Sequence, residues 1–309
     1  MTVLVHFDGK IGVDYQQRLA ALLPEMPVKL WPEMGDPAAI RYLVMWGTEP
    51  GLIGSLPHLK GILSPAAGVN HILNAPDRPP QVPIVRLLDS GMGPQIAEYA
   101  LHAVLDYQRH FALYRDQQAV QTWKPRRYQA PGEVTVGILG LGTLGAVLAQ
   151  RLIANGYRVI GWRSSDTPVP GVEVFAGKPA LTDFLKQTQV LICLLPFTEK
   201  TAGILNRDLF ALLPNDAMVV NLGRGGLLRE ADLLHNLDNG PLSRAILDVF
   251  EAEPLPPDHP FWVHPKITVT PHVAAATPRD QASVQMADAI RVLERGGTPE
   301  GQVDPARGY

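Results

Sequence analysis

The stretch "VGILGLGTLG", Val136 to Gly145, decides the fold of this chain. An apolar run of strand length is followed at once by a turn with G-x-G-x-x-G spacing, and then by a segment with helical spacing. In such a turn, glycines permit a tight bend, close approach of a pyrophosphate to backbone amides, and packing of the helix on the strand. The pattern therefore predicts a dinucleotide contact at Gly140, Gly142, Thr143, Leu144 and Gly145.

The turn belongs to a series of apolar runs, most of them separated by helical segments, which is typical of a doubly wound parallel sheet. The runs are Val134–Gly140, Arg158–Trp162, Val190–Pro196, Ala217–Gly223, Ser243–Phe250 and Lys266–His272. A second series precedes them, and its short runs without strict alternation fit strands covered on both faces. These runs are Val3–Asp8, Val28–Trp31, Tyr42–Gly47, Gly61–Gly68 and Pro83–Leu88.

The predicted fold class is therefore α/β, with two Rossmann-like domains, parallel sheets and a cleft between the domains. We expect a dinucleotide-binding Rossmann domain over 92–275 and a flavodoxin-like substrate domain that combines 1–91 with 276–309. Residues 93–123 form a long stretch with helical spacing, which would act as a spacer between domains or a dimer element. A last helix is predicted within 276–297, with Thr277 as its cap and glycines at its end.

Composition narrows the class of ligand. The 309 residues carry 27 basic and 30 acidic side chains, a net charge of -3, so nucleic acid and anionic membranes are not expected as partners. No apolar run approaches the roughly 18 residues of a membrane span. The single cysteine, Cys193, lies in an apolar run, so we expect no disulfide and a cytoplasmic location. A small neutral or anionic ligand is the better prediction, and no metal site is predicted.

The strand after the glycine turn ends in "WRSSD". An acid usually stands at this point, where it binds the ribose hydroxyls of NAD and repels a 2′-phosphate. Here Arg163, Ser164 and Ser165 offer a cation and hydroxyl groups instead. Charge-assisted bonds of about 1.5–3 kcal/mol each predict a preference for NADP(H) over NAD(H) of about tenfold to over a hundredfold. In the alternative, Arg163 is merely solvated and Asp166 acts as the acid.

Three side chains with suitable chemistry follow strands of the second series. Arg224 follows "VVNLG" among three glycines that we expect to leave room for a ligand, Glu253 follows "LDVF", and His272 ends "ITVTPH". Reduction of a ketone needs a proton donor for the developing alkoxide and a cation for a substrate carboxylate. Because ligands bind at the carboxyl ends of parallel strands, all three fall on the expected edge. Each also has a structural alternative: a satisfied histidine, a turn acid and a helix cap.

Several segments together resemble a known family. "GILGLGTLG", "LLPFTEKTAGILN", "NLGRGG", "LDVFEAEPLP" and "VTPHVAAAT", in this order and at these separations, are similar to the D-2-hydroxyacid dehydrogenase family. "LDSGMGPQIAEYAL", "HVAAATPRDQA" and "GQVDPARGY" look more narrowly like its glyoxylate/hydroxypyruvate reductase A branch. The resemblance covers nearly the whole chain.

The resemblance implies roles for individual residues. His272 would be the general acid in reduction, with Glu253 as the partner that orients the ring and favours its protonated form. Arg224 would bind the substrate carboxylate and carbonyl. In the first domain, backbone amides of Ala67, Gly68 and Val69 would bind the same carboxylate, and Trp46 would wall the pocket or simply pack. The positions implied for cofactor contact beyond the glycine turn are Leu195, Pro196, Thr198 and Asp248.

These inferences predict NADPH-dependent reduction of small 2-oxo acids, glyoxylate to glycolate or hydroxypyruvate to D-glycerate, with NADH as a weaker donor. The resemblance also implies a homodimer through the 95–123 segment. Two alternatives stay open. The chain would be an NAD-dependent dehydrogenase of a bulkier D-2-hydroxy acid if Arg163 is idle, or a non-enzymatic dinucleotide-sensing protein, since such a branch exists within the family.

Overall fold

The computed structural model describes residues 1–47, 49–66, 68–88 and 91–304. The chain divides into two compact units. One consists of Met1–Gly91 with the described part of Thr277–Tyr309, and the other of Met92–Ala276. Each unit has its own parallel sheet, which confirms the predicted α/β class with two parallel sheets. None of the helices in the described residues is both long and apolar enough to span a bilayer.

The sheet of the first unit has five strands within the described part of the chain, all paired in parallel. The strands are β1 (Thr2–His6), β2 (Val28–Leu30), β3 (Ile40–Met45), β4 (Gly61–Ser64) and β5 (Ile84–Arg86), and the helices between them are α1 (Gly9–Leu22) and α2 (Asn70–Leu73). The strand order β2-β1-β3-β4-β5 is that of flavodoxin-like sheets. Its central strands are almost wholly buried, as their apolar runs predict.

The sheet of the second unit has seven parallel strands. They are β6 (Thr135–Leu139), β7 (Arg158–Arg163), β8 (Glu173–Ala176), β9 (Val190–Cys193), β10 (Ala217–Asn221), β11 (Leu242–Leu247) and β12 (Ile267–Val269). The order β12-β11-β10-β9-β6-β7-β8 reverses direction at β6, which places the glycine turn at the topological switch point of a Rossmann sheet. β8 is absent from the predicted strands because its four residues are only partly buried at the sheet edge.

Helices pack on this sheet. They are α3 (Met92–Gln108), α4 (Phe111–Ala119), α5 (Thr143–Ala154), α6 (Leu181–Lys186), α7 (Arg207–Phe210) and α8 (Glu230–Asn239). The stretch with helical spacing over 93–123 forms two helices, α3 and α4. His110, between α3 and α4, has a left-handed backbone with φ 56°, which ends α3 because an α-helix of L-residues cannot continue through that conformation. Residues 120–123 lie beyond α4.

The last helix, α9 (Arg279–Glu294), belongs to the first unit. Its N-cap residue is Pro278, so the prediction of Thr277 as the cap is wrong. At its other end the predicted glycines do close the helix: Gly296 has φ 72°, and the amide of Gly297 donates to the carbonyl of Val292 at 3.0 Å. The carboxylate of Glu294 accepts a 2.6 Å hydrogen bond from the hydroxyl of Tyr42 on β3, which ties α9 to the sheet.

Candidate active site

The glycine turn connects β6 to α5, and two of its glycines are required by packing. At Gly140, which has φ 117°, an added Cβ would lie 2.8 Å from the carbonyl carbon of Leu194. At Gly145, an added Cβ would lie 2.2 Å from the carbonyl oxygen of Gly140. The amide of Gly140 also donates to the carbonyl of Trp162 on β7 at 3.0 Å. The turn is therefore held tightly between the two neighbouring strands.

Gly142 differs from the other two glycines. It is the exposed N-cap residue of α5, and a Cβ placed on it would meet nothing within 4 Å. Thr143 and Leu144 follow in the first helical turn, where backbone amides have no partner within the helix. Open space in front of free amides at a helix N-terminus fits the pyrophosphate of a dinucleotide. The residues of this turn thus fit the predicted cofactor.

The carboxyl end of β7 lies beside this turn, since β7 pairs with β6. Arg163 is the last residue of β7, and its carbonyl is held by a 2.9 Å bond from the amide of Gly177. Among the described residues, its guanidinium makes only a long, exposed bond of 3.3 Å to the carbonyl of Thr167. Ser164 and Ser165 follow it in exposed positions. A weakly held cation with two adjacent hydroxyls at this edge fits a 2′-phosphate.

The loop after β9 borders the turn on its other side. Leu195 is buried, and its amide nitrogen would lie 2.9 Å from a Cβ at Gly140. The loop is closed by Thr201, whose hydroxyl donates to the carbonyl of Pro196 at 2.7 Å and accepts from the amide of Thr198 at 2.8 Å. The predicted cofactor contacts of Leu195, Pro196 and Thr198 therefore lie on a well-ordered loop beside the glycines, and their roles stay predictions.

Arg224 stands in the loop after β10. Its Nη1 donates to the carbonyl of Gly223 at 2.7 Å, and the side chain is partly buried. Burial lowers the pKa of the guanidinium from its ordinary value, while the nearby carboxylate of Glu253 acts in the opposite direction. A cation removed from water in this way gains strongly from an anionic ligand. The loop is therefore suited to bind a carboxylate.

The glycines around Arg224 do not leave the expected room for a ligand. A Cβ on Gly225 would lie 1.8 Å from the carbonyl carbon of Phe250, and one on Gly226 would lie 2.6 Å from the ring of Phe197. At Gly223 the nearest atom would be 2.7 Å away, on Leu227. All three glycines are required because protein atoms pack directly on the loop. Their role is to place Arg224 rather than to admit a ligand.

His272 and Glu253 form a direct pair. His272 Nδ1 lies 2.7 Å from Glu253 Oε2, and the other carboxylate oxygen accepts from the amide of Phe250 at 2.9 Å. That second bond fixes the carboxylate. Because Nδ1 is engaged, Nε2 is the ring nitrogen left to face a ligand, and the side chain of His272 is 40% exposed. Accessibility of this kind favours a chemical role over a purely structural one.

Asp248, one residue beyond β11, is a predicted cofactor contact, but the structure shows its carboxylate facing inward. Asp248 is 1% exposed, and its carboxylate accepts from the amide of Val273 at 2.9 Å, the amide of Ala274 at 2.9 Å and the hydroxyl of Thr270 at 2.5 Å. These bonds organise the chain around His272. Contact of Asp248 with a cofactor stays a prediction.

The predicted substrate-binding turn belongs to the first unit. Ala67 lies outside the described residues, while Gly68 is partly buried and the side chain of Val69 packs in the core at 1% exposure. Trp46 follows β3 with 44% exposure, and its ring stands edge-on to that of His71 at 4.7 Å between centroids. The substrate-binding roles of these residues stay predictions.

Three other features bear on the chemistry. Cys193 lies wholly buried in β9, and burial raises the pKa of its thiol to about 12, so it is no nucleophile. No cluster of three His, Cys, Asp or Glu side chains suited to a metal ion occurs in the described residues. Tyr99 and Thr270, whose hydroxyls lie 2.6 Å apart next to Asp248, are missed by the sequence predictions, because neither has a motif of its own.

Comparison with known proteins agrees with this geometry. The family model described as "D-isomer specific 2-hydroxyacid dehydrogenase, NAD binding domain" matches residues 101–274. Glyoxylate/hydroxypyruvate reductase A of Serratia proteamaculans is 44% identical over 296 residues, which cover 94% of each chain. The reductase of the same name from Yersinia enterocolitica is 40% identical over 296 residues, again 94% of each chain.

Solved structures match over almost the full length. A D-isomer specific 2-hydroxyacid dehydrogenase from Xanthobacter autotrophicus Py2, in complex with NADPH and MES, has a TM-score of 0.94 and 35% identity, with 99% of each chain covered. The NADPH-dependent glyoxylate/hydroxypyruvate reductase from Sinorhizobium meliloti, in complex with NADP and sulfate, has a TM-score of 0.92 and 36% identity, with 100% of this chain and 99% of that chain covered.

Proposed function

We propose, from the premise that the chain belongs to the D-isomer specific 2-hydroxyacid dehydrogenase family, that it reduces small 2-oxo acids with NADPH. The substrates are glyoxylate, which yields glycolate, and hydroxypyruvate, which yields D-glycerate. The observation that carries the proposal is the 2.7 Å pair of His272 and Glu253 in the unit that also holds the partly buried Arg224. Relatives that share 40–44% of their residues with this chain bear the same activity in their names.

His272 is the proton donor in this mechanism. Glu253 accepts a hydrogen bond from the Nδ1–H of the imidazolium, and Nε2 delivers its proton to the carbonyl oxygen as the alcohol forms. Arg224 binds the substrate carboxylate and polarises the carbonyl. Bound NADPH supplies the hydride for the carbonyl carbon. The neutral imidazole that remains still donates from Nδ1 to Glu253, so the ring stays oriented for the next proton.

The residues that would hold the cofactor lie at the N-terminus of α5 and at the carboxyl end of β7. The first amides of α5, with the open space at Gly142, would bind the pyrophosphate. Arg163, Ser164 and Ser165 would bind the 2′-phosphate at the end of β7. An acid at this point would repel that phosphate, so the arginine favours NADPH over NADH.

The proposed function is tested by measuring kcat/KM for each 2-oxo acid with NADPH and, separately, with NADH. We expect kcat/KM with glyoxylate and hydroxypyruvate to be at least about tenfold higher with NADPH than with NADH, and higher than with a bulky aromatic 2-oxo acid. Activity mainly with NADH and the bulky acid would instead identify the chain as a dehydrogenase of larger hydroxy acids. Cofactor binding without turnover of any acid would identify a dinucleotide sensor.

Arg163→Asp is expected to abolish the preference for NADPH. The substitution removes the forked donor and places a carboxylate beside the phosphate, so KM for NADPH should rise by about 100-fold while KM for NADH changes less than threefold. The matched control is Arg151→Asp, which makes the same charge change on α5. An equal response of both cofactors to Arg163→Asp would show that Arg163 does not recognise the phosphate.

We also propose that the chain forms a homodimer through the 95–123 segment. Large apolar side chains are exposed on and just after this segment, and Trp123 is 96% exposed, which is costly for so large an apolar surface. The others are Leu105, Phe111, Val120 and Tyr128. Burial of these side chains against a second copy would remove that cost.

Trp123→Glu is therefore expected to convert the dimer to a monomer at micromolar concentration, as measured by size-exclusion chromatography with light scattering. Val263→Glu serves as the matched control, since Val263 is 83% exposed in another part of the same unit. A wild-type protein that is monomeric at the same concentration would contradict the dimer, and an unaffected Trp123→Glu dimer would place the interface elsewhere.

A cytoplasmic location is proposed as well. Its support is the single, buried cysteine, because disulfides form and persist in oxidising compartments and this chain has no second cysteine to pair with. Cell fractionation tests this directly: the protein should separate with soluble cytoplasmic marker enzymes, and recovery with the membrane or an exported fraction would contradict it.

A further inference from the structure

The segment from Thr270 to Ala276 carries His272, and we call it the His272 loop. His272 itself has a left-handed backbone with φ 54°. A residue with a Cβ rarely adopts this backbone conformation. The conformation persists only where surrounding groups impose it. The direction of the imidazole therefore depends on whatever holds the loop.

One set of restraints comes from the end of β11. The backbone carbonyl of Asp248 accepts from the amide of His272 at 2.9 Å, and its two carboxylate oxygens accept from the amides of Val273 and Ala274, each at 2.9 Å. Three successive amides of the loop are thus held by one buried residue. Asp248 in turn must be kept in place for these bonds to form.

A second set comes from α3. Thr270 donates its only hydroxyl proton to Asp248 Oδ1, so the 2.6 Å contact between the hydroxyls of Thr270 and Tyr99 must be donated by Tyr99. The phenol of Tyr99 is protonated at neutral pH and able to donate, and burial raises its pKa further. The chain of bonds runs from Tyr99 through Thr270 to the carboxylate that holds the loop.

Gln95 holds the other end of the loop. Its amide nitrogen donates to the carbonyl of Ala276 at 2.9 Å, and its amide oxygen accepts from the Ala276 N–H at 3.0 Å. Gln95 and Tyr99 are four residues apart, so they lie on the same face of α3. The adjacent buried residues of α3 pack in a core cluster with α5. Hydrogen bonds from α3 therefore hold both ends of the His272 loop.

We propose that Tyr99 and Gln95 are positioning residues for the reduction, acting through the His272 loop. They keep His272 in its left-handed conformation and so hold its ring where a proton can be delivered to the substrate. The inference rests on the proposed function, because it needs His272 to be the proton donor.

Hydrogen exchange of the cofactor-free protein tests the restraint without any assay of activity. Tyr99→Phe should speed amide exchange in a peptide that covers 272–274 by about fivefold, the effect of losing one hydrogen bond from the closed state. Gln95→Ala should do the same at Ala276. The matched control is Tyr107→Phe, which removes the same group from α3 at a hydroxyl that makes no hydrogen bond with the described residues. Unchanged exchange in both variants would overturn the proposal.

Kinetics test the consequence for catalysis. Tyr99→Phe should lower kcat about tenfold, with KM for glyoxylate and Kd for NADPH within twofold, because only the proton donor is displaced. The isotope effect on kcat with NADPH deuterated at the nicotinamide C4 should rise, whereas a smaller folded fraction would leave it unchanged. A wild-type protein inactive toward every acid would overturn the proposed function and this inference with it. An active wild type with an equally active Tyr99→Phe would overturn the inference alone.

Discussion

His272→Ala is expected to lower kcat for glyoxylate by at least about 100-fold and to leave the Kd of NADPH within twofold. The imidazole is the proton donor for the forming alcohol, and water is a poorly placed substitute. Binding of the cofactor should persist because the glycine turn and Arg163 lie at the ends of β6 and β7, away from the His272 loop in the sheet order. The measurements are steady-state turnover and NADPH fluorescence titration.

The left-handed backbone of His272 makes a second variant at this position necessary. Alanine at φ 54° is strained, so His272→Ala alone would combine loss of the donor with movement of the loop. Asparagine tolerates the left-handed region, and His272→Asn should therefore lose as much activity as His272→Ala with the loop in place. His235→Ala, an exposed histidine on α8, controls for general effects of losing an imidazole. Near-normal turnover of His272→Asn would exclude His272 as the acid.

The site was predictable from sequence to the extent that it depends on parallel strands. Apolar runs locate the strands, the residue after each run locates the carboxyl edge, and the edge is where ligands bind. This reasoning puts Arg163 at the end of β7 and Arg224, Glu253 and His272 in the loops after β10 to β12, where the structure has them. A functional side chain at a strand end can be predicted from the sequence because the apolar run of the strand can be recognised there.

What was missed depends on contacts between distant segments. A missing Cβ serves ligand approach and tight packing equally well, so the sequence cannot show that Gly225 lies against Phe250. The inward direction of Asp248 and its bond with Thr270 depend on two strand ends meeting. The break at His110 has no glycine or proline to mark it, and α4 is anchored to α3 by contacts such as the 2.8 Å bond from Arg115 to Asp106.

Arg224→Gln is expected to lower kcat/KM for glyoxylate by about 1,000-fold. Two charge-assisted hydrogen bonds to a carboxylate contribute about 1.5–3 kcal/mol each, and every 1.4 kcal/mol corresponds to about tenfold. Partial burial of the guanidinium keeps the effect above the lower end of this range, because the charge is less screened by water. Glutamine keeps much of the length and a donor amide, so packing against Gly223 is largely retained.

A comparison of charged and uncharged substrates distinguishes loss of carboxylate binding from general damage to the loop. An uncharged 2-oxo amide has no carboxylate for Arg224 to bind, so Arg224→Gln should reduce its turnover by less than about tenfold. Arg229→Gln, an exposed arginine at the start of α8, should change neither substrate by more than twofold. If the acid and the amide lose activity equally, Arg224 acts on the loop or on the carbonyl alone, and the carboxylate must be bound by other residues.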